Sequence, residues 1–131
     1  MNRASAFLDR FRAEDEAESP LHALADDPDG WGAALAESPE ALAEALAKRG
    51  LPVHGMARGG TTSHQLAIEA QRWGGGQAAA KKLRPCNILS GGIGLPMAPV
   101  AGDTNGLRLG VNEIVRWGMG PADMPALADL I

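Results

Sequence analysis

The sequence predicts an α+β fold, a small two-layer domain in which an antiparallel sheet of about three strands is covered by helices, with an N-terminal helical extension. Two patterns carry this prediction. Apolar residues recur at helical spacing before Gly50, and they alternate with polar or small residues after it. The length of 131 residues accommodates one domain with an extension, but not a second full domain.

Residues 1–37 are expected to form a helical, acidic extension that docks onto a partner, and residues 38–131 to form the domain. Phe7, Leu8 and Phe11 make an apolar stripe at helical spacing, which is costly to leave exposed. An acidic run follows this stripe, at Glu14, Asp15, Glu16 and Glu18. The alternative interpretation of this arm is a poorly ordered tail.

A scaffold helix is predicted to begin at Ser38, because several local signals agree there. Ser38 is a good N-cap residue, Pro39 suits the first helical position, and Gly50 is a good C-terminal stop. Glu44 and Lys48 lie four residues apart in the order that stabilises a helix.

Short elements separated by glycine and proline are predicted for the rest of the chain. Pro52 marks an edge strand or a strand start, and Pro125 would strain the last helix unless that helix starts late. The predicted elements are, in chain order, strands at 51–56 and 63–69, a helix at 77–83, a glycine-rich loop at 90–96, a strand around Arg108 and a helix within 121–131.

Composition argues against several classes of function. The 16 acidic and 12 basic side chains give a net charge of -4 without a basic patch, so nucleic acid is not an expected partner. The single Cys86 excludes an internal disulfide, and the three histidines are too scattered to predict a metal site. With no run of 18 apolar residues and no secretory signal, no membrane contact and a cytoplasmic location are the expectation.

Two glycine clusters, one cysteine and one histidine invite functional interpretations that the sequence around them does not favour. Gly74–Gly76 and Gly91–Gly94 match neither a phosphate loop nor a dinucleotide fingerprint. Cys86 has no identifiable base that would make it a nucleophile. For His64, a structural hydrogen bond is favoured over contact with a cofactor.

Arg108 is the main candidate for a binding residue. It is a lone cation in the segment Gly106-Leu107-Arg108-Leu109-Gly110. A guanidinium grips a carboxylate with two parallel hydrogen bonds, and neighbouring glycines let a ligand approach the backbone closely. The alternative is an arginine on an edge strand that points to water.

Four motifs in order resemble the C-terminal small domain of serine hydroxymethyltransferase-like enzymes, which are pyridoxal-phosphate (PLP) proteins of fold type I. The segment Gly59–His64 reads Gly-Gly-Thr-Thr-Ser-His where that family typically has Gly-Gly-Thr-Asp-Asn-His. The segment Gly106–Gly110 stands where the family has Gly-Ile-Arg-Ile/Val-Gly. The other two motifs are the helix Ala41–Gly50 and the C-terminal stretch Met119–Ile131.

The resemblance implies a substrate-binding role for Arg108, since the matching arginine of the family holds the α-carboxylate of the amino-acid substrate. The segment Gly91–Pro96 lacks the asparagine-lysine-asparagine tract of folate-using members, so folate is not expected. Its Ile-Gly-Leu-Pro sequence is similar to the folate-independent threonine transaldolases and α-methylserine aldolases or hydroxymethyltransferases, which act on β-hydroxy-α-amino acids. The residues expected to line the site are Thr62, Ser63 and His64 in one loop and Gly92, Ile93 and Gly94 in the other.

No lysine of this chain matches the one that forms a Schiff base with PLP in the family. Lys48, Lys81 and Lys82 are expected on helix surfaces, without the apolar setting that makes a lysine nucleophilic. The initiator Met and the N-terminal arm indicate a complete chain, so the resemblance implies a split enzyme. A second polypeptide would carry the large domain that binds most of the PLP, in a heterotetramer with two copies of each chain.

Two alternatives differ in class from the split enzyme. One is a regulatory or stabilising subunit that keeps only the fold, and the other is a free-standing domain that binds a small molecule.

Overall fold

The structure, a computed structural model, describes residues 28–58, 60–61 and 63–131. The predicted α+β class is confirmed, with three antiparallel strands, helices packed on them and a helical N-terminal part. The apolar stripe and acidic run predicted within residues 1–27 lie outside the described residues. The helices and strands are α1 (Pro28–Lys48), β1 (Gln65–Glu69), α2 (Gly76–Leu83), β2 (Gly91–Ile93), β3 (Gly106–Gly110), α3 (Asn112–Arg116) and α4 (Met124–Ala128).

The sheet has the order β1-β3-β2, and both outer strands run antiparallel to β3. Its two faces differ sharply. One face is apolar and buried through Leu66, Ile68, Leu107 and Leu109, which pack in one core with α1 and α2. On the opposite face, the side chain of Arg108 is exposed. The described helices therefore cover one side of the sheet, and none of them covers the other side.

α1 runs through Ser38 and Pro39 without a break, so the predicted helix start at Ser38 is wrong. Both residues are fully buried, and the packing of this segment offsets the one backbone hydrogen bond that a proline removes. The predicted end is correct, because Lys48 closes the helix and Gly50 adopts the left-handed conformation with a φ of +82°. The boundary between residues 37 and 38 falls inside α1, and the division into extension and domain stays a prediction.

The hydroxyl of Ser38 is buried and has no hydrogen-bond partner among the described residues. Ser38→Ala should therefore raise the free energy of unfolding by about 1 kcal/mol, because it removes an unsatisfied polar group from a helix interior and adds helix propensity. Urea unfolding of the full chain measures this change. Ser63→Ala is the matched control, since the Ser63 hydroxyl is bonded to Gln65. A loss of stability in Ser38→Ala would show that the hydroxyl has a stabilising partner.

The predicted strand at 51–56 is reduced to a single β-bridge between Val53 and Ile68. His54 N donates to Ala67 O at 2.8 Å, and Glu69 N donates to Pro52 O at 2.8 Å. Pairing ends there because Gly55 turns the chain with a φ of +79°. The prediction was wrong in extent, although this segment does lie along the outer edge of β1.

β2 occupies part of the segment that was predicted to be a loop. Glycine has low strand propensity, but Gly92 is required here because a Cβ atom would collide with Thr104 Oγ1 and would lie 3.2 Å from Gln77 Nε2. The close approach of the Thr104 hydroxyl, and to a lesser degree that of Gln77 on α2, therefore accounts for the glycine. Hydrogen bonding to β3 makes the segment a strand.

The predicted last helix starts late, as Pro125 requires. A 3-10 turn at Pro121–Asp123 precedes α4, and Pro125 lies in the first turn of α4. Arg49 fastens this end to α1, donating from Nε to Asp129 Oδ1 at 2.7 Å and from Nη2 to the Pro125 carbonyl at 2.9 Å. α3, between β3 and this turn, was not predicted. None of the described helices has the length and apolar character needed to cross a membrane.

The glycine cluster Gly74–Gly76 brings the N-terminus of α2 against the side chain of Asp103. The carboxylate of Asp103 accepts hydrogen bonds from Gln77 N and Ala78 N, both at 3.0 Å. A Cβ atom on Gly75 would lie 2.5 Å from that carboxylate. The cluster therefore serves an internal cap, and the helix end that a phosphate would need is taken by Asp103.

The backbone hydrogen bonds from Gln77, Ala78 and Thr104 lower the pKa of Asp103, against a smaller opposing effect of desolvation. Because the pKa of Asp103 is lower in the folded than in the unfolded chain, the ionised carboxylate stabilises the fold at neutral pH. This stabilisation is lost when the pH falls below about 4 and passes through the pKa of the folded state. Asp103→Asn should therefore be less stable at pH 7 and lose less stability between pH 7 and pH 3. Urea unfolding at both pH values measures this difference, with the exposed Glu40→Gln as control. Equal acid sensitivity of Asp103→Asn and the parent would contradict the capping role.

Candidate functional site

Arg108 lies at the centre of β3, the middle strand, with very small neighbours on both sides. Ala67 of β1 and Gly91 of β2 stand directly opposite it in the two ladders. The guanidinium is exposed and makes no hydrogen bond or ion pair with any residue that the structure describes. None of its donors is therefore occupied by a described residue.

We call the open side of the sheet around this residue the Arg108 face. Directly paired residues of antiparallel strands share a face, and so do residues two apart on one strand. A Cβ atom placed on Gly91 would meet nothing within 4 Å, so a ligand could approach the backbone beside the guanidinium. The Arg108 face consists of Gln65, Ala67, Glu69, Gly91, Ile93, Gly106, Arg108 and Gly110.

Glu69 supplies the carboxylate of the Arg108 face. It stands diagonally from Arg108 across the ladder, because Ala67 is the residue directly opposite. Its Oε1 atom lies 3.2 Å from His54 Nδ1, on the outer side of β1. Glu69 makes this contact with His54 and no ion pair with Arg108. Among the described residues, none therefore neutralises the guanidinium.

The two loops predicted to line the site lead to opposite ends of β3, with Arg108 between them. The first loop enters β1 at Gln65, which is paired with Gly110. Thr61 Oγ1 donates to the Gln65 carbonyl at 2.6 Å, and Ser63 Oγ donates to the same carbonyl at 3.2 Å. These hydroxyls fix the entry to the strand. Thr62 and Gly59 lie outside the described residues.

His64 is placed at the start of β1 with its side chain exposed. The structural hydrogen bond expected of its ring is not formed with any described residue. Its backbone carries the structural role instead, since the His64 carbonyl accepts from Val111 N at 3.1 Å. The exposed imidazole therefore lies near the end of β1 that pairs with Gly110, without a hydrogen bond to a described residue.

The second loop divides between the two sides of the sheet. Ile93 is paired with Gly106 and lies on the Arg108 face. Gly92 is paired with Leu107 and belongs to the covered face, where it accommodates Thr104. Gly94 is exposed and has open space around it. Of these three residues, only Ile93 presents a side chain next to Arg108.

The sequence interpretation missed Asn105, which organises the second loop from the start of β3. Asn105 is 6% exposed. Its Oδ1 accepts from Leu95 N at 2.6 Å, and its Nδ2 lies 3.0 Å from the Leu95 carbonyl. The sequence signal was slight, a lone amide before the Gly-Leu-Arg-Leu-Gly segment. The contact depends on the pairing of β2 with β3.

A separate apolar cavity of about 250 Å³ lies on the covered side of the sheet. Ile68 and Leu107 form part of its wall, and both belong to the face opposite Arg108. Cys86 also borders it, together with Lys82. The cavity and the Arg108 face are therefore distinct surfaces, and the candidate carboxylate receptor, Arg108, belongs to the open one.

The described residues do not form a site for PLP, which requires a lysine that can bind it covalently. Lys48, Lys81 and Lys82 are all exposed, and Lys48 lies 4.0 Å from Glu44 on the surface of α1. None of the three is on the Arg108 face as defined above. What the described residues do fit is the carboxylate of an amino acid, at Arg108.

Comparison with known proteins gives relatives in two groups of enzymes. An alpha-methylserine aldolase of Variovorax paradoxus is 64% identical over 101 residues, which is 77% of this chain and 23% of the relative. An alpha-methylserine aldolase of a Ralstonia species is 57% identical over the same shares. A serine hydroxymethyltransferase of Pyrobaculum aerophilum is 38% identical over 101 residues, 77% of this chain and 24% of the relative. No family model matches the chain.

The chain spans about a quarter of the length of the relatives that it matches. The motifs around Arg108 and His64 predicted the similarity to these two groups of enzymes from the sequence alone. Both the aldolase and the hydroxymethyltransferase relatives agree with that recognition. The chain therefore belongs, over about three quarters of its length, to the serine hydroxymethyltransferase-like enzymes, and it corresponds to their C-terminal small domain.

Proposed function

We propose that this chain supplies the substrate-carboxylate arginine of a PLP-dependent enzyme that acts on β-hydroxy-α-amino acids. The observation that supports this most is the guanidinium of Arg108, which is exposed between Ala67 and Gly91 and has no partner among the residues that the structure describes. An arginine kept only for the fold would gain nothing from this position. The name of the most similar relatives reported above, alpha-methylserine aldolase, is consistent with such a substrate.

Arg108 would hold the substrate by one end and orient the rest. Two parallel hydrogen bonds from its fork to the carboxylate fix both the position and the plane of that group. The α-carbon is bonded to the carboxylate carbon, so its substituents are then held in a defined direction above the sheet. PLP, when bound by a large domain, supplies the electron sink for breaking the bond between the α- and β-carbons. The contribution of this chain is to orient the substrate.

We further propose that a second polypeptide carries the large domain and most of the PLP contacts, with two copies of each chain in the complex, and that folate is not used. The exposure of all three lysines supports a cofactor site elsewhere. The apolar stripe of the N-terminal extension, outside the described residues, would dock onto this partner.

Purification of the tagged chain from its native host tests the assembly. A yellow complex with a second chain of large-domain size is the expected result. A colourless single species, or a yellow single chain long enough to hold both domains, would contradict the split arrangement. The second of these results would leave the proposed role of Arg108 intact.

A chimeric enzyme tests the function without a known partner. In it, the matching 101-residue segment of the Variovorax paradoxus relative is replaced by the segment of this chain, to which it is 64% identical. We expect the chimera to cleave α-methylserine with a kcat/KM within about tenfold of the parent aldolase. A folded, PLP-loaded chimera without activity would contradict the proposal.

The alternative function is a regulatory or stabilising subunit that retains the fold only. Its distinguishing expectation is that Arg108 is dispensable, since a scaffold does not need a free guanidinium on an open sheet face. The variants of Arg108 described in the Discussion separate the two functions directly.

A further inference from the structure

Two apolar side chains lie beside Arg108 on the open face of the sheet. We call them the apolar shelf, Ile93 and Leu95. Ile93 is directly opposite Gly106 in the ladder between β2 and β3. A Cβ atom on Gly106 would lie 2.7 Å from both Cγ and Cδ1 of Leu95, so the Leu95 side chain rests on the backbone of Gly106. Gly106 is two residues from Arg108 on β3, a spacing of about 7 Å.

The shelf is not part of the hydrophobic core. Both residues are half-buried, and neither belongs to the core cluster nor to the partly buried residues packed against it. They stand on a face whose other members are glycines, Ala67 and polar or charged side chains. Packing within the described part of the chain therefore does not account for two branched aliphatic residues at this place.

Leu95 is held in place by the amide of Asn105. That amide contacts both backbone polar groups of Leu95, at 2.6 Å and 3.0 Å, and its Nδ2 also lies 3.1 Å from the Met97 carbonyl and 3.2 Å from the Ala98 carbonyl. Asn105 is itself buried next to Gly106. These contacts fix the backbone of Leu95, and with it the point from which the Leu95 side chain leaves the loop.

The surroundings of Arg108 are asymmetric across β3. On the β1 side the Arg108 face carries Gln65 and Glu69, and on the β2 side it carries the apolar shelf. When Arg108 holds a carboxylate, the substituents of the adjacent α-carbon extend toward these two sides. A polar substituent is favoured on the β1 side and an alkyl group on the β2 side.

We propose that Leu95, positioned by Asn105, is a specificity-determining residue that contacts an alkyl group on the α-carbon of the substrate. Ile93 completes the contact surface. The proposal rests on the proposed function of Arg108, and it assigns to Leu95 the recognition of one small alkyl substituent on the α-carbon.

Inhibition of the PLP-loaded chimera by two unreactive amino acids tests the proposal. 2-Aminoisobutyrate presents a methyl group to the shelf, whereas glycine presents no substituent. Leu95→Ala and Leu95→Asn should each reduce the preference for 2-aminoisobutyrate, measured as the ratio of the two inhibition constants, by about tenfold. Leu95→Asn conserves the size of the side chain, so it remains informative if the smaller residue loosens the loop.

Asn105→Ala should shift the same ratio in the same direction, because Leu95 loses its anchor. Leu89→Ala is the matched control. Leu89 is another leucine, which lies just before β2. Its side chain is 84% exposed, and it is not part of the apolar shelf. Its variant should leave the ratio unchanged.

An unchanged ratio in both Leu95 variants, with both inhibitors still bound, would overturn the specificity role. Failure of the proposed function gives a different result, because the affinity for both inhibitors would then be the same in Arg108→Lys as in the parent chimera. Loss of affinity in Arg108→Lys together with an altered ratio in the Leu95 variants is the outcome that supports both.

Discussion

Arg108→Ala in the chimeric enzyme is expected to lower kcat/KM for α-methylserine by about 100-fold or more. The substrate carboxylate would lose two charge-assisted hydrogen bonds, and no other cation stands on the Arg108 face to replace them. Arg108→Lys should recover little of the loss, since an ammonium group is a point charge without the planar fork. Steady-state kinetics with the purified, PLP-loaded variants measures the effect.

The fold should tolerate both substitutions. The side chain is exposed and makes no hydrogen bond or ion pair among the described residues, so thermal unfolding should change little. Arg84→Ala is the matched control, because Arg84 is another exposed arginine and lies away from the Arg108 face. Normal activity in Arg108→Ala would contradict the proposed role of Arg108 in binding the substrate carboxylate. It would favour a subunit that retains only the fold.

Asn105→Asp is expected to destabilise the chain by about 3 kcal/mol or more, a larger loss than that of Asn105→Ala. The Nδ2 group of Asn105 faces three carbonyl oxygens, of Leu95, Met97 and Ala98, at 3.0 to 3.2 Å. A carboxylate at this position has the same shape but no donor. It would place a buried negative charge against acceptors, whereas alanine leaves only unpaired groups.

Urea unfolding at neutral pH measures both variants of Asn105. Asn112→Asp is the control, because Asn112 is exposed and begins α3, where an acidic residue is tolerated or favourable. A stability of Asn105→Asp equal to that of the parent would mean that the loop from Leu95 to Ala98 does not depend on this amide.

The fold class could be predicted because its signals are local. The alternation around Arg108 and the stop at Gly50 survive in the structure, since they depend on the character of neighbouring residues. The helix start at Ser38 could not be judged locally. Capping residues and a buried proline look alike in sequence, and only the burial of Ser38 and Pro39 against the rest of the domain selects a continuous helix.

The residues of the candidate site also differ in whether the sequence alone could predict them. Arg108 could be identified from its own segment, because a lone cation between leucines and glycines is unusual by itself. Leu95 and Asn105 could not, because they meet across ten residues only when β2 pairs with β3. The position of Gly92 on the covered face also follows from that register, which the sequence left open.

The middle position of β3 determines how this domain can serve a larger enzyme. Hydrogen bonds to β1 on one side and to β2 on the other pin the backbone beneath Arg108 from two directions. The anchor of the carboxylate receptor is thus set when the domain folds, before anything approaches its open face. In the proposed enzyme, a large domain that carries the cofactor would have to present it above an arginine whose backbone is paired on both sides.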